Sequence, residues 1–324
     1  MVTLRGQMQL IRGLHNLSSV KGALSQGCVL TIGNFDGLHL GHQQVLQAVT
    51  VEAKERKLPS IVMMFEPLPI EFFAPEKAPV RLMNLREKMQ AFQTTEIDYV
   101  LLVRFNAKFA GLSAQQFVEQ VLIEGLNVKH LVVGDDFRFG KQRKGDFDYL
   151  YQQGQKRGFT VTDMPTYGVA CSENFRHRVS STRVRAALAK PNLQEAGQLL
   201  GKPFKFNGRV IHGQKLGRTI GFPTLNLNPK RLQMPIMGVF AVTVNGIADQ
   251  PWPGVANLGL RPTVDGVMPS IEVHLFNWSQ DLYGKHVDVT LQKHIRPEMK
   301  FDSFEMLKQQ IQLDAETAKQ FFKI

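Results

Sequence analysis

Cysteine is nearly missing from this chain of 324 residues: there are two, Cys28 in an apolar strand-like run and Cys171 in a loop-like one. They make neither a zinc-ligand spacing nor a disulfide framework, so both are expected to be ordinary reduced thiols. Long apolar runs are missing too. No stretch reaches the roughly 18 residues of a membrane span, and the N-terminal MVTLRGQMQLIRG has no signal-peptide apolar region. A cytoplasmic protein without a membrane partner is expected. Tryptophan occurs twice, and the β-rich second half carries no aromatic ladder on which bases would stack. There is no internal repeat and no low-complexity segment. What is present is ordinary: 43% hydrophobic and 21% charged residues, enough to bury proper cores. The length predicts two domains rather than one.

Charge is less ordinary. The formal net charge is +11, which suggests polyanionic partners, nucleic acid among them. Its distribution argues otherwise. Residues 172–218 hold ten Lys or Arg against two acids, so one short segment carries most of the excess. Interleaved with glycines and hydroxyl residues, such a segment suits phosphate groups at defined sites better than the backbone of a duplex. Small molecules are the expected partners, not nucleic acid.

Two textures follow one another along the chain. Up to about residue 188, apolar strand-like runs alternate with helical patterns: CVLTIG then GHQQVLQAVTVEAKERK, SIVMMF then LREKMQAFQTTE, DYVLLVRF then SAQQFVEQVLIEG, VKHLVVG then DFDYLYQQGQKRG, and finally FTVTDM. This alternation predicts an α/β domain with a parallel sheet covered by helices on both faces. Ligands in such folds bind in the loops at the carboxyl ends of strands. From about residue 202 short β-rich runs (FKFNGRVIH, GVFAVTVNG, SIEVHLFN, HVDVTLQKHI) are separated by Gly, Pro and Asn. They predict a small antiparallel barrel, closed off by a helix from about Ser303 to Phe322. The connector SSTRVRAALAKPNLQEAGQLLG reads as helical on both sides of Pro191.

The densest motif is TIGNFDGLHLGHQQVL, residues 31–46. Gly33, Gly37 and Gly41 let the backbone turn tightly and approach a ligand, and the following helix aims unpaired amides and its positive end at an anion. His39 and His42, one helical turn apart, can face the same side and donate to phosphate oxygens. That set of donors suits nucleotidyl transfer, where catalysis is mostly positioning and stabilisation of charge on non-bridging oxygens. Taken alone, H-x-G-H is also compatible with a glycine-rich turn bearing two surface histidines. A zinc pair would need i, i+4 spacing and a further ligand.

G-N-F-D-G-L-H-L-G-H resembles the signature of the HxGH nucleotidyltransferases, specifically the adenylyltransferase half of bacterial bifunctional riboflavin kinase/FAD synthetases. VSSTRVR, residues 179–185, resembles the family's Ile-Ser-Ser-Thr-x-x-Arg segment. The resemblance implies a Rossmann-like domain over residues 1–186 in which His39 and His42 stabilise the α-phosphate of ATP. Gly33, Asn34, Phe35, Asp36 and Gly37 would bind ATP, with Ser181, Thr182 and Arg185 holding the triphosphate. Ser181 and Thr182 are good helix-capping residues, and Arg185 in the first turn would add a fork of donors. GDDFRFG, residues 134–140, resembles the loop that helps form the same site, which assigns Asp135, Asp136 and Phe137 to flavin or nucleotide. FEPLP, residues 65–69, matches in part: Leu68 stands where relatives carry a polar side chain, so no hydrogen bond is carried over.

The second half resembles the riboflavin kinase module over residues 187–324. GRVIHGQKLGRTIGFPTLNL, residues 208–227, contains the family's Pro-Thr-x-Asn element as Pro223, Thr224, Leu225 and Asn226. Thr224 and Asn226 are two apart, so in an extended segment they share a face and present neutral oxygens to one point, an arrangement magnesium accepts. Gly213, Lys215, Gly217, Arg218 and Thr224 would cover the phosphates of a second ATP. The string is no Walker A loop, since Gln214 stands where lysine is required. GVANLGLRPT and SIEVHLF complete the match. By resemblance Glu272 is the base that takes the proton of the riboflavin 5′-hydroxyl, and the alternation of Ile271, Val273 and Leu275 against Glu272 and His274 puts it on the polar face of its strand. Arg261 and Arg296 are expected to be phosphate or flavin contacts, or surface cations. The implied activity is phosphorylation of riboflavin to FMN and adenylylation of FMN to FAD, with ATP and Mg2+ at both sites. The alternatives are a nucleotidyltransferase with another acceptor and a basic RNA-binding protein.

Overall fold

The computed structural model describes residues 8–172, 175–213, 221–263 and 266–324, without the side chains of 169–172, 175–177, 262–263 and 266–267. Cys171, Lys215, Gly217 and Arg218 therefore lie outside the described side chains. By contacts the chain forms two compact units, residues 1–79 with 88–179 and residues 80–87 with 180–324.

The first unit is a parallel six-stranded sheet in the order β1-β4-β3-β2-β5-β6, built from Gln9–Arg12 (β1), Cys28–Ile32 (β2), Ser60–Glu66 (β3), Tyr99–Arg104 (β4), Val128–Gly134 (β5) and Thr160–Met164 (β6). All five residues of β2 are buried, as they must be when helices cover both faces of a sheet. Helix α1 (Leu40–Arg56) follows β2, α2 (Leu85–Gln93) precedes β4, and α3 (Phe147–Arg157) leads into β6. Every strand read from the alternation is present. The edge strand β1 is an addition: its QLIR is too short and mixed to show a period. A hairpin of β7 (Gly168–Ser172) and β8 (Phe175–Arg178) is a second addition.

The chain leaves β2 for β3 on one side and later returns as β5 on the other side. This reversal creates a crevice outside the carboxyl ends of β2 and β5, the place where open α/β sheets bind ligands. The two loops that border it are GNFDGLHLGH and GDDFRFG.

The second unit begins with α4 (Ser181–Ala189) and α5 (Leu193–Leu200). A closed antiparallel barrel follows in the order β10-β13-β12-β11-β14-β9, from Lys205–Ile211 (β9), Leu225–Leu227 (β10), Gly238–Asn245 (β11), Trp252–Thr263 (β12), Gly266–Leu275 (β13) and His286–Arg296 (β14). Phe206, Phe240, Leu258, Ile271, Val273 and Val289 are among its buried residues. Closure removes the sheet edges that would otherwise invite other chains. The terminal helix α6 (Phe304–Phe322), capped by Ser303 Oγ, buries Ala315 and Ala318 in a cluster with Val239, Ala241, Val255 and Phe276. Among the described residues no helix is long and apolar enough to cross a membrane.

The basic segment is partly neutralised in place. Arg178 pairs with Asp136, Arg183 with Glu195 and Lys205 with Asp288. An unbroken cationic footprint would leave such carboxylates out.

Candidate active sites

At the crevice of the first unit, His39 is the N-cap of α1, and its Nδ1 accepts the backbone N–H of His42 at 3.2 Å. A neutral imidazole that accepts through Nδ1 carries its proton on Nε2. The capping bond thus selects the tautomer and leaves Nε2–H as the donor. The His42 ring lies flat on that of His39, with centroids 3.6 Å apart and planes 14° from parallel, so the two face one side as their spacing predicts. Gly41 makes this possible: a Cβ there would stand 3.3 Å from His39 Cε1 and Nδ1 and 3.6 Å from the Val179 carbonyl.

The preceding loop is tightly wound. Phe35 and Leu38 adopt positive φ (47° and 44°) beside Gly37 at 87°, a conformation costly for residues with side chains. Phe35 and Asp36 are buried while Asn34 is exposed. Phe35 and Asp36, which the resemblance assigns to ATP, thus have side chains enclosed by the protein. The Phe35 ring contacts His42 at 5.0 Å and Phe92 of α2 at 5.7 Å.

Across the crevice, Asp135 accepts the Thr166 hydroxyl at 2.7 Å and Asp136 accepts Arg178 Nη2 at 3.2 Å. Phe137 closes a turn onto the Gly134 carbonyl and stacks on Phe139. Sequence reasoning missed a neighbouring feature. Phe65 at the end of β3 and Phe72, Phe73, Phe105 and Phe109 past the ends of β3 and β4 form a chain of ring contacts at 5.2 to 5.8 Å, and Phe73 is 65% exposed. Leu68 is buried.

The SSTRVR segment needs a correction. Ser180 is the cap of α4, its Oγ accepting from Arg183 N–H at 3.3 Å. Ser181 and Thr182 occupy the first turn instead. Arg185 lies beyond that turn, and its Nε donates to the Val80 carbonyl at 2.6 Å.

In the barrel, Glu272 of β13 pairs with Asn226 of β10 on one side and with Asn257 of β12 on the other. Directly opposed residues of antiparallel strands project to one face, so the carboxylate sits between two carboxamides on the outer wall. Burial pushes the Glu272 carboxyl above its usual range, and Arg261 pulls it back in part. Asn226 is buried; its amide reaches the Thr224 carbonyl at 3.4 Å. Gly213 lies so close that a Cβ would come within 2.4 Å of the Asn226 side chain. Glycine at 213 therefore makes room for Asn226 whatever its relation to phosphates. His274 donates through Nδ1 to the Pro223 carbonyl at 2.9 Å and so ties the strand of Glu272 to the segment of Thr224. Among the described residues no group of three or more His, Cys, Asp or Glu could hold a metal; the hydroxyl and amide oxygens of Thr224 and Asn226 are the hard donors magnesium prefers.

Arg296 needs a second correction. It is not the surface cation that was one expectation for it. Its Nε and Nη2 form a fork onto Asp314 of α6 at 2.7 to 3.1 Å, with both side chains largely buried. Cys28 is no nucleophile: burial raises its thiol to about 12.

The family model described as FAD synthetase matches residues 21–183, and that described as riboflavin kinase matches residues 200–322. The chain belongs to the bifunctional riboflavin kinase/FMN adenylyltransferase family. It is 52% identical over 315 residues to the family member of Escherichia coli strain K12, covering 97% of this chain and 98% of that one. The Haemophilus influenzae member is 49% identical, at 97% and 99% coverage. A crystal structure from Streptococcus pneumoniae described as a macrolide-efflux protein superimposes with a TM-score of 0.74 at 33% identity, covering 90% of this chain and 94% of that one. The family's two modules fall on the two textures of the sequence, sheet first and barrel second.

Proposed function

We infer that the chain makes both flavin cofactors in succession, phosphorylating riboflavin to FMN in its C-terminal module and adenylylating FMN to FAD in its N-terminal module. The observation that carries the residue assignments is the presence of a separate constellation in each unit: a stacked histidine pair, with the His39 tautomer set by its capping bond, at the sheet's reversal point, and a half-buried carboxylate between two carboxamides on the barrel. We assign adenylyl transfer to residues 1–186 and phosphorylation to 187–324.

In the barrel, Glu272 accepts the proton of the ribityl 5′-hydroxyl as that oxygen bonds to the γ-phosphorus of ATP and ADP leaves. A carboxyl raised by burial is a better base than an exposed one. Thr224 and Asn226 would hold magnesium, which would offset phosphate charge; Arg261 faces the same carboxylate. At the sheet, a phosphate oxygen of FMN bonds to the α-phosphorus of a second ATP and pyrophosphate leaves. The Nε2–H of His39 and the imidazole of His42 steady the charge on the α-phosphate oxygens. Asp135, Asp136 and Phe137 border this site. In the ring chain from Phe65 to Phe109, Phe73 meets Phe72 and Phe105 edge to face, and this exposed Phe73 offers the apolar ring against which an isoalloxazine would pack.

The direct test is incubation of the purified chain with magnesium, ATP and riboflavin while FMN and FAD are followed separately. FMN should rise first and FAD after it. FAD appearing from supplied FMN but never from riboflavin would remove the kinase assignment.

A further inference from the structure

Among the described residues Lys88 is one of the large side chains almost wholly enclosed by the protein, with 1% exposure. It stands in the first turn of α2, the end of a helix that disfavours a cation, and removing an ammonium from water costs several kcal/mol. The helix end itself favours an anion rather than a lysine. Its Nζ donates to the Asn34 carbonyl at 2.9 Å, inside the GNFDG loop. One turn further along α2, Phe92 meets the ring of Phe35 edge to face. Phe35 is the next residue after Asn34, holds a positive φ, and lays its ring against His42. One face of α2 thus grips two adjacent residues of the loop, one by its backbone and one by its ring, and the second touches a catalytic imidazole.

We propose that Lys88 is a positioning residue for adenylyl transfer: from α2 it fixes the backbone of the GNFDG loop and, through Phe35, the seat of the His42 ring. The proposal rests on that loop being the adenylyl-transfer site. Lys88 touches no reacting atom; it holds a left-handed turn that would otherwise relax toward commoner backbone angles. Displacing a catalytic group by about 1 Å can cost on the order of 100-fold in rate, and the loss should fall on kcat.

The test uses the full chain, with FMN adenylylation and riboflavin phosphorylation measured on the same preparations of Lys88→Met, Lys88→Gln, Phe92→Leu and His42→Ala. Lys88→Met should lower kcat for adenylylation by about 100-fold, with KM values for ATP and FMN and the rate of phosphorylation little changed. Lys88→Gln, which keeps a donor, should recover part of the loss, and Phe92→Leu should show a smaller loss of the same kind. Wild-type kcat in Lys88→Met, a loss confined to KM, or both activities falling together with the folded fraction would each overturn the proposal. Should Lys88→Met and Lys88→Gln not fold, an unchanged kcat in Phe92→Leu would overturn it instead. Full adenylylation in His42→Ala would remove the site assignment itself, a failure distinct from that of Lys88.

Discussion

Glu272 and His42 stand in different units, so their variants should separate the two reactions. Glu272→Ala is expected to abolish FMN formation while FAD is still made from supplied FMN, and His42→Ala to do the reverse; assays of each half-reaction decide it. Gly41→Ala should resemble a weaker His42 variant, because its methyl would press on the His39 ring. The pH dependence of phosphorylation follows from the raised Glu272 carboxyl. A base must be ionised to act, so kcat/KM should fall as pH drops through a value above that of a free glutamate, about 4.3. Arg261 favours the ionised form, hence Arg261→Ala should move this acid limb to higher pH. The face of the strand that Glu272 occupies was legible because the alternation runs over five residues, while its part as base is implied by the resemblance alone. Arg296 and Lys88 were not, since a cation looks the same in sequence whether water or a distant partner receives it. The exposed phenylalanines failed for the opposite reason: in separate loops, each reads as a core residue.

At the scale of elements, α1 carries the histidine pair at its N-terminus and a buried polar network nearer its other end. Arg56 Nη2 lies 3.3 Å from His130 Nδ1 on β5, with Thr160 Oγ1 at 2.6 Å, and the Thr162 hydroxyl lies 3.3 Å from Nε2. Since a guanidinium only donates, Nδ1 must accept and the proton sits on Nε2. Burial lowers the His130 pKa, the nearby Glu52 opposing and Arg56 assisting. Between that lowered value and about 6.5, where an unfolded histidine titrates, the unfolded chain binds more protons than the folded one. Its contribution to stability is therefore present above that window and is lost as pH falls through it. The unfolding temperature of the N-terminal unit should drop between neutral and mildly acidic pH, and His130→Gln should reduce the slope; identical pH profiles would contradict this role. The helix itself was readable from its pattern, though its capping by His39 was not. Its anchor was not, because Thr160, Thr162 and His130 meet only once β5 and β6 pair.

For the molecule as a whole, motif order divides the chain after residue 186, but contacts group residues 80–87 with the barrel. Glu87 gives the reason. Its carboxylate accepts the backbone N–H of Asn207 at 2.9 Å and that of Asn84 at 2.8 Å, and it pairs with Arg231. Arg231 also donates to the Leu82 carbonyl at 2.8 Å and lies over the Phe206 ring. Burial raises the Glu87 carboxyl, while Arg231 and the two amides draw it back. No periodicity could reveal this, since the partners are far apart in the chain and lie on either side of the sheet module's remaining strands. The pair itself need not add much stability over an apolar substitute, but removing one member strands the other without water. Glu87→Ala should accordingly destabilise the C-terminal unit by about 3 to 5 kcal/mol, measured by denaturant unfolding with tryptophan fluorescence, since both tryptophans, Trp252 and Trp278, lie in that unit. A fragment of residues 187–324 lacks Glu87 altogether and should show a comparable loss relative to the full chain, even if it still phosphorylates riboflavin. Should Glu87→Ala unfold at the wild-type midpoint, the carboxylate is not what ties residues 80–87 to the barrel.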